Sequence, residues 1–206
     1  MQLTRRQPAP VELLAAPVLE GERYHDRPIY FSDVIVRRDS SFQTFADLRG
    51  RSWSYNDPDS HSGYNVTRHR LVQLGETRGF FSRVIQAGWH QKSIQLVLEG
   101  AVDASAIDSQ VLAIELRDHP AWGSQLRVID SLGPSSIQPV VAARHVPASI
   151  RADVRRVLLA MGDDPRAAAA LAQGFVRRFA PVTDTTYDDI RQMLAAAEAA
   201  HFMALR

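Results

Sequence analysis

The chain has 206 residues, 45% of them hydrophobic, so it is long enough for one sizeable domain or two small lobes with a packed core. Its 24 basic and 23 acidic side chains give a formal charge of +1, which provides no broad electrostatic footprint for nucleic acid. Any preference for anions must therefore be local. Cysteine is absent, which excludes disulfides and thiolate chemistry. No stretch approaches the roughly 20 apolar residues of a membrane helix, and the short, proline-broken apolar stretch near the N-terminus does not predict a signal peptide.

The first half of the chain predicts strands that alternate with helices, after a proline-rich lead-in. In chain order the predicted elements are a strand at 29–37, a helical turn at 44–50, a strand at 52–55, a helix opened by the turn residues 56–63, a helix after His90, a strand at 102–107 and a helix capped by Asp108 and Ser109. Because strands and helices alternate, we expect an α/β domain with a largely parallel sheet.

The second half begins with two more predicted strands, at 126–129 and 139–142, separated by a loop at 131–138. From Pro147 onward the spacing of apolar residues predicts helices only. The alanine-rich stretches in this part of the chain favour helix by intrinsic propensity.

The strongest local signal for chemistry is the turn-forming run from Asp57 to Tyr64. Ser60, Ser62 and the backbone N–H of Gly63 lie here at a predicted helix N-terminus. Hydroxyl groups, unpaired amides and the positive end of the helix dipole make such a terminus a ready anion site. The structural alternative is that one of the two serines serves only as an N-cap.

His90 and Asp108 occupy comparable positions, each where a strand gives way to a helix. Taken singly, each residue is more often a helix cap or a surface residue than a ligand-binding group. In open α/β sheets, however, such junctions line up along the carboxyl edge of the sheet, where ligands bind. The shared position predicts that the Ser60–Gly63 run, His90 and Asp108 form one site.

Enzyme signatures do not occur in the sequence, which has no GxSxG, HExxH, P-loop or GxGxxG motif. His61 and His69 are eight residues apart, whereas helical zinc pairs use i, i+4 spacing, so we expect no metal site there. Trp53, Trp89 and Trp122 are scattered singly, which favours core or ligand-shielding roles over a stacking platform for bases.

Six short segments, in this order, resemble the phosphate- and phosphonate-binding proteins of ABC importers, which are two-lobed solute-binding proteins of the type II periplasmic class. The segments are Tyr30-Phe31-Ser32, Phe45 to Gly50, Asp57 to Tyr64, Gly88-Trp89-His90, Gly100 to Ser109 and Phe179 to Tyr187. The resemblance covers the chain from about residue 29 onward. It implies an α/β fold of the type II periplasmic binding protein-like class. It also implies a non-catalytic protein without cofactor or metal, a periplasmic or cell-surface location, and an ABC permease as partner.

The resemblance also implies a set of ligand-binding residues. In that family the Ser-x-Ser-Gly helix start cradles the anion, and a tyrosine, a histidine and a polar residue after the next strand also reach it. Carried over to this sequence, the residues are Tyr30, Ser60, Ser62, Gly63, His90 and Asp108. If the His90 imidazole faces the ligand, affinity for a dianion should improve as the pH falls through the ordinary histidine range near ~6.5.

The choice of ligand follows from a departure from the family pattern. Family members that bind aminophosphonates carry an acid before a late Pro-Val strand, and this chain has Gln138 there. Because an amide cannot neutralise an ammonium group, phosphate, phosphite or a small alkylphosphonate is the better ligand. An effector-sensing domain of a regulatory protein with the same fold is the alternative function. An enzyme on a related scaffold is the third, and the missing nucleophile–base constellation argues against it.

A second departure concerns the lobes. Family members begin with a βαβ-type stretch that this chain is expected to lack, which implies one complete lobe plus the C-terminal helices of the other. Residues 44–138 would form lobe two with the anion-binding helix start, and residues 1–43 with 139–206 would form the hinge strands and C-terminal helices of an incomplete lobe one. Apolar helix faces, including Val154 and Val157, would then be partly exposed, and a homo-oligomer would cover them.

Overall fold

The protein is described here by a computed structural model that covers residues 10–205, so the lead-in predicted at residues 1–9 lies outside the described residues. The strands are β1 Val11–Leu19, β2 Ile29–Arg37, β3 Ser52–Tyr55, β4 Arg83–Gln86, β5 Ala104–Asp108, β6 Leu126–Ser136, β7 Val140–Ala143 and β8 Val176–Ala180. The helices are α1 Val66–Gln73, α2 His90–Leu98, α3 Ser109–Asp118, α4 Pro120–Gln125, α5 Ala148–Ala160, α6 Pro165–Gln173 and α7 Asp188–Ala199, with short 3-10 turns between some elements. Among residues 10–205 no helix is both long and apolar enough to cross a membrane.

The chain forms two compact units. The first contains the residues up to Tyr30 together with Ser135–Arg191, and the second contains Phe31–Pro134 with the tail from Gln192. The lobe ranges predicted from the sequence, 44–138 and the two flanking segments, stay a prediction.

The first unit is built on a three-stranded sheet in the order β7-β1-β8, in which both neighbours run antiparallel to β1. Two ion pairs tie α5 to β1, because Arg151 and Arg155 donate to the two carboxylate oxygens of Glu12 at 2.8 and 3.0 Å. The outer face of α5 stays apolar and exposed, with Val154 at 41% and Val157 at 54% exposure. This face is therefore exposed, as predicted. The homo-oligomer that would cover it stays a prediction.

One expectation for this part of the chain is wrong, and one strand was not predicted. Residues from Pro147 onward are not helices only, since β8 lies between α6 and α7. The proline-broken stretch near the N-terminus is the nine-residue strand β1, which pairs along its length with β7 and β8. In both cases the strand is stabilised by partners that are distant in sequence, and local propensity does not report them.

The second unit contains a five-stranded sheet in the order β4-β3-β5-β2-β6. Strands β4 and β5 run parallel to β3, whereas β2 runs antiparallel to β5, so the sheet is parallel in one part only. Strand β6 continues to Ser136 and includes a cis Gly133–Pro134 bond. The loop predicted to begin at Ser131 is thus strand for its first six residues.

Both faces of this sheet are buried. Alternate residues of a strand point to opposite faces, and accordingly Val34 packs in one hydrophobic cluster while Ile35 packs in the other. The first cluster includes α1 and the fully buried Trp53, whose indole stacks on Phe81 at 4.7 Å. The second includes Ile94 of α2. Because helices cover both faces of the sheet, a ligand is expected at an edge of the sheet, where the strands end.

The carboxyl ends of the three parallel strands lie at one edge and lead into helical segments. Strand β3 leads through a turn to the helix that ends as α1, β4 leads to α2 and β5 leads directly to α3. The predicted junctions of the Ser60–Gly63 run, His90 and Asp108 are therefore confirmed as strand-to-helix junctions at a common edge.

Candidate anion-binding site

The helix after β3 begins with a single π-helical turn, His61–Asn65, that continues into α1. The Asn65 N–H donates to the carbonyl of Ser60 at 3.0 Å, which closes the wide turn. The Ser60 hydroxyl accepts the Gly63 N–H at 3.1 Å and so serves as the N-cap. Ser60 is therefore the serine that serves as an N-cap. Ser62 takes no part in the capping hydrogen bond. Single π-helical turns occur frequently at functional sites.

Ser62 and His90 meet directly. The Ser62 side chain is 4% exposed, and its Oγ lies 2.9 Å from Nε2 of His90, the first residue of α2. The other ring nitrogen of His90, Nδ1, is buried and has no hydrogen-bond partner among residues 10–205. The two helix starts are therefore joined by a hydroxyl–imidazole contact at the carboxyl edge of the sheet.

Burial controls the charge of the His90 imidazole. Loss of hydration lowers the pKa of His90 to about 4, because the buried site penalises the charged form. The imidazole is thus neutral at neutral pH when no ligand is bound. This changes the expectation of a titration near ~6.5, which assumed an ordinary, hydrated histidine.

Asn56 connects the two helix starts and was not singled out by the sequence analysis. Its carbonyl accepts the Gly88 N–H at 2.8 Å, which holds the turn that precedes His90. Its side chain packs against Gly63 so closely that a Cβ at Gly63 would lie 1.9 Å from Asn56 Oδ1. Glycine is therefore required at position 63 by close approach, and the Ser-x-Ser-Gly pattern was the sequence signal for it.

Asp108 is buried, with 5% exposure, at the end of β5. Its Oδ1 accepts the N–H groups of Gln110 at 2.9 Å and Val111 at 3.3 Å, so it caps α3 as predicted. Tyr30 is 1% exposed on β2 and belongs to the first unit, as does the exposed Gln138. The roles of Tyr30, Gln138 and Asp108 toward a ligand stay predictions.

The arrangement suits binding better than covalent catalysis. A serine hydroxyl within hydrogen-bond distance of an imidazole also occurs in hydrolases, where the imidazole acts as a general base. A base works best when its pKa lies near the working pH, and the pKa of His90 is about 4. The neutral hydroxyl donor at the helix start, by contrast, can serve an oxyanion at any pH at which the fold persists.

Comparison with known proteins identifies the family. A family model described as the periplasmic substrate-binding protein of phosphonate ABC transporters matches residues 1–187. The chain belongs to this phosphonate-binding family. Members of the family are periplasmic solute-binding proteins, which are non-catalytic components of transport systems.

Solved structures share the fold at low sequence identity. A binding protein component of an ABC phosphonate transporter from Pseudomonas aeruginosa is 21% identical, with a TM-score of 0.77 over 91% of this chain and 62% of its own. PhnD1 from Prochlorococcus marinus, in complex with methylphosphonate, is 17% identical, with a TM-score of 0.72 over 92% of this chain and 72% of its own. XAC2383 from Xanthomonas citri, bound to ATP, is 18% identical, with a TM-score of 0.67 over 95% and 74%. The protein therefore has the type II periplasmic binding fold that the sequence predicted.

Proposed function

We propose that this protein is the solute-binding component of an ABC-type uptake system and binds phosphate, phosphite or a small alkylphosphonate without catalysis. The observation that carries the proposal is the buried contact between Ser62 and His90 at the start of the π-helical turn, in a chain of the phosphonate-binding family. An ABC permease is the proposed partner, and the periplasm or cell surface is the proposed location.

The binding geometry follows from the tautomer of His90. With the proton on Nε2, the ring donates to Ser62 Oγ and the Ser62 hydroxyl hydrogen is released to point at an oxyanion. The helix dipole and the amides of the first helical turn add further stabilisation of negative charge. The Asp108 carboxylate cannot donate, so its proposed role is to accept a hydrogen bond from a protonated oxygen of the ligand.

The proposed ligands carry no ammonium group. Gln138 stands where aminophosphonate binders carry an acid, and an amide side chain leaves a cation without a counter-charge. The methylphosphonate complex of PhnD1 supports an unsubstituted alkylphosphonate as a ligand of this fold. An effector-sensing domain, the alternative function, would use the same anion site. It would differ from a transport component in its partner, which would be a regulatory domain and not a permease.

Isothermal titration calorimetry with phosphate, phosphite and methylphosphonate tests the proposal. Ser62→Ala removes the buried donor and should lower affinity about 10- to 150-fold, since hydrogen bonds to charged groups contribute about 1.5–3 kcal/mol. Ser124→Ala is the matched control, because this exposed hydroxyl only donates to the carbonyl of Ala121 within α4. Equal affinities of the two variants, or no binding by the wild-type protein, would contradict the proposed site.

A further inference from the structure

Trp89 is the exposed one of the three tryptophans. Its side chain is 73% exposed, whereas Trp53 is completely buried and Trp122 is half-buried against the ring of His119 at 4.1 Å. Tryptophan combines a large apolar face with a polar N–H and is enriched at interfaces. The indole of Trp89 belongs to neither hydrophobic cluster of the second unit, so it is available to a ligand.

The backbone of Trp89 is fixed at the rim of the anion site. Gly88, which precedes it, donates to Asn56, and His90, which follows it, contacts Ser62. The Trp89 carbonyl itself accepts the Ser93 N–H at 3.1 Å in the first turn of α2. Since consecutive Cα atoms are about 3.8 Å apart, the Cα that carries the indole lies next to the Cα of His90, whose imidazole contacts Ser62. The hydrogen bonds fix the backbone here, and the exposed ring is available for stacking.

The chemistry of this surface defines what it can hold. An indole face stacks on planar rings and attracts cations. Lys92, exposed three residues later in the first turn of α2, adds a positive charge on the same helix end and disfavours a cationic group there. A planar substituent, neutral or anionic, is therefore the better occupant.

We infer that Trp89 binds the organic substituent of the ligand, so that the site takes phosphonates or phosphate esters that carry an aromatic or heteroaromatic ring. This inference rests on the proposed function, because the ring is placed by the oxyanion held at Ser62. It deepens that function by extending the ligand class from small anions to aryl phosphonates and nucleotide-like esters.

Titration with a matched pair of ligands, methylphosphonate and phenylphosphonate, tests the inference on the wild-type protein, Trp89→Ala and Trp89→Phe. We expect the wild type to bind phenylphosphonate about 5- to 150-fold more tightly, which is the range of one base–aromatic stacking contact of about 1–3 kcal/mol. Trp89→Ala should lose this preference and bind methylphosphonate within about twofold of the wild type, whereas Trp89→Phe should retain most of the preference. Because the indole is exposed, neither variant should change the melting temperature measurably.

The outcomes separate the two proposals. Methylphosphonate binding with no preference for the phenyl compound, or a preference that survives in Trp89→Ala, overturns the role of Trp89 and leaves the anion site standing. Weaker binding of both ligands to Trp89→Ala by the same factor also overturns it, since the indole would then act on the anion and not on the ring. If neither phosphonate binds to the wild-type protein, the anion site and the inference fall together.

Discussion

His90→Gln should change how the stability of the protein depends on pH. In the folded chain burial lowers the pKa of His90 to about 4, whereas the unfolded chain has an ordinary histidine with a pKa near ~6.5. The unfolded state therefore binds a proton first as the pH falls. The free energy of unfolding is at its full value above pH ~6.5, declines between ~6.5 and ~4, and stops declining from this source below ~4.

The size of the effect follows from the two pKa values. Proton linkage gives a loss of about 1 kcal/mol by pH 5.5 and about 2–3 kcal/mol by pH 4.5, relative to pH 7.5. Glutamine does not titrate and can still hydrogen-bond to Ser62, so His90→Gln should lack this loss. Burial also lowers the pKa of His69. His69 and the carboxylates change the stability of the wild type and of His90→Gln by the same amount, so they cancel when the two proteins are compared.

The assay is urea unfolding of ligand-free protein at pH 7.5, 5.5 and 4.5, with the free energy of unfolding taken by linear extrapolation. The difference between wild type and His90→Gln should move in favour of the variant as the pH falls. A difference that stays constant across the three pH values would refute the burial of a neutral imidazole at this position.

Three further outcomes follow from the site. Gly63→Ala places a Cβ against Asn56 Oδ1 and should cost about 1–3 kcal/mol in thermal unfolding, whereas Gly123→Ala, which meets nothing within 4 Å, should be neutral or stabilising. Asp108→Ala removes the cap of α3 and should cost about 0.5–2 kcal/mol, so an unchanged melting temperature would contradict the capping role. Calorimetry should show weaker binding of 2-aminoethylphosphonate than of methylphosphonate, and the reverse order would refute the role given to Gln138.

The sequence was sufficient to predict that three strand-to-helix junctions share one edge of the sheet. Ser60 and Ser62 stand in a turn-and-cap run, Asp108 follows an apolar strand, and His90 precedes a predicted helix. The rule that parallel strands end at one edge then brought them together, without knowledge of any tertiary contact. The type II periplasmic binding fold was likewise predictable, because six ordered segments resembled the family that the comparison confirms.

The details of the site depend on packing and could not be predicted. The contact between Ser62 and His90 joins residues 28 positions apart, and the lowered pKa of His90 arises from burial that only the tertiary fold creates. The same holds for the π-helical form of His61–Asn65 and for the approach of Asn56 to Gly63. Residue types and spacing indicate that position 63 is a glycine at a helix start, but they do not report which side chain packs against it.

Two of the strands that were missed, β1 and β8, have a common physical cause, whereas β4 was also missed and is not covered by it. β1 contains Pro17, and β8 has two consecutive arginines, so neither has the composition of a strand. Each forms because it pairs with a distant partner in the sheet of the first unit. β6 extends past a Gly-Pro pair that locally signals a turn, and its place beside β2 keeps it extended.

A crystal structure of the protein with methylphosphonate is the most direct test of the anion site. The phosphonate should lie at the start of the π-helical turn, with one oxygen about 2.5–3.0 Å from Ser62 Oγ and with His90 Nε2 within hydrogen-bond distance of Ser62 or of the ligand. A phosphonate bound elsewhere on the protein, with the contact between Ser62 and His90 undisturbed and no ligand oxygen near it, would contradict the proposed site.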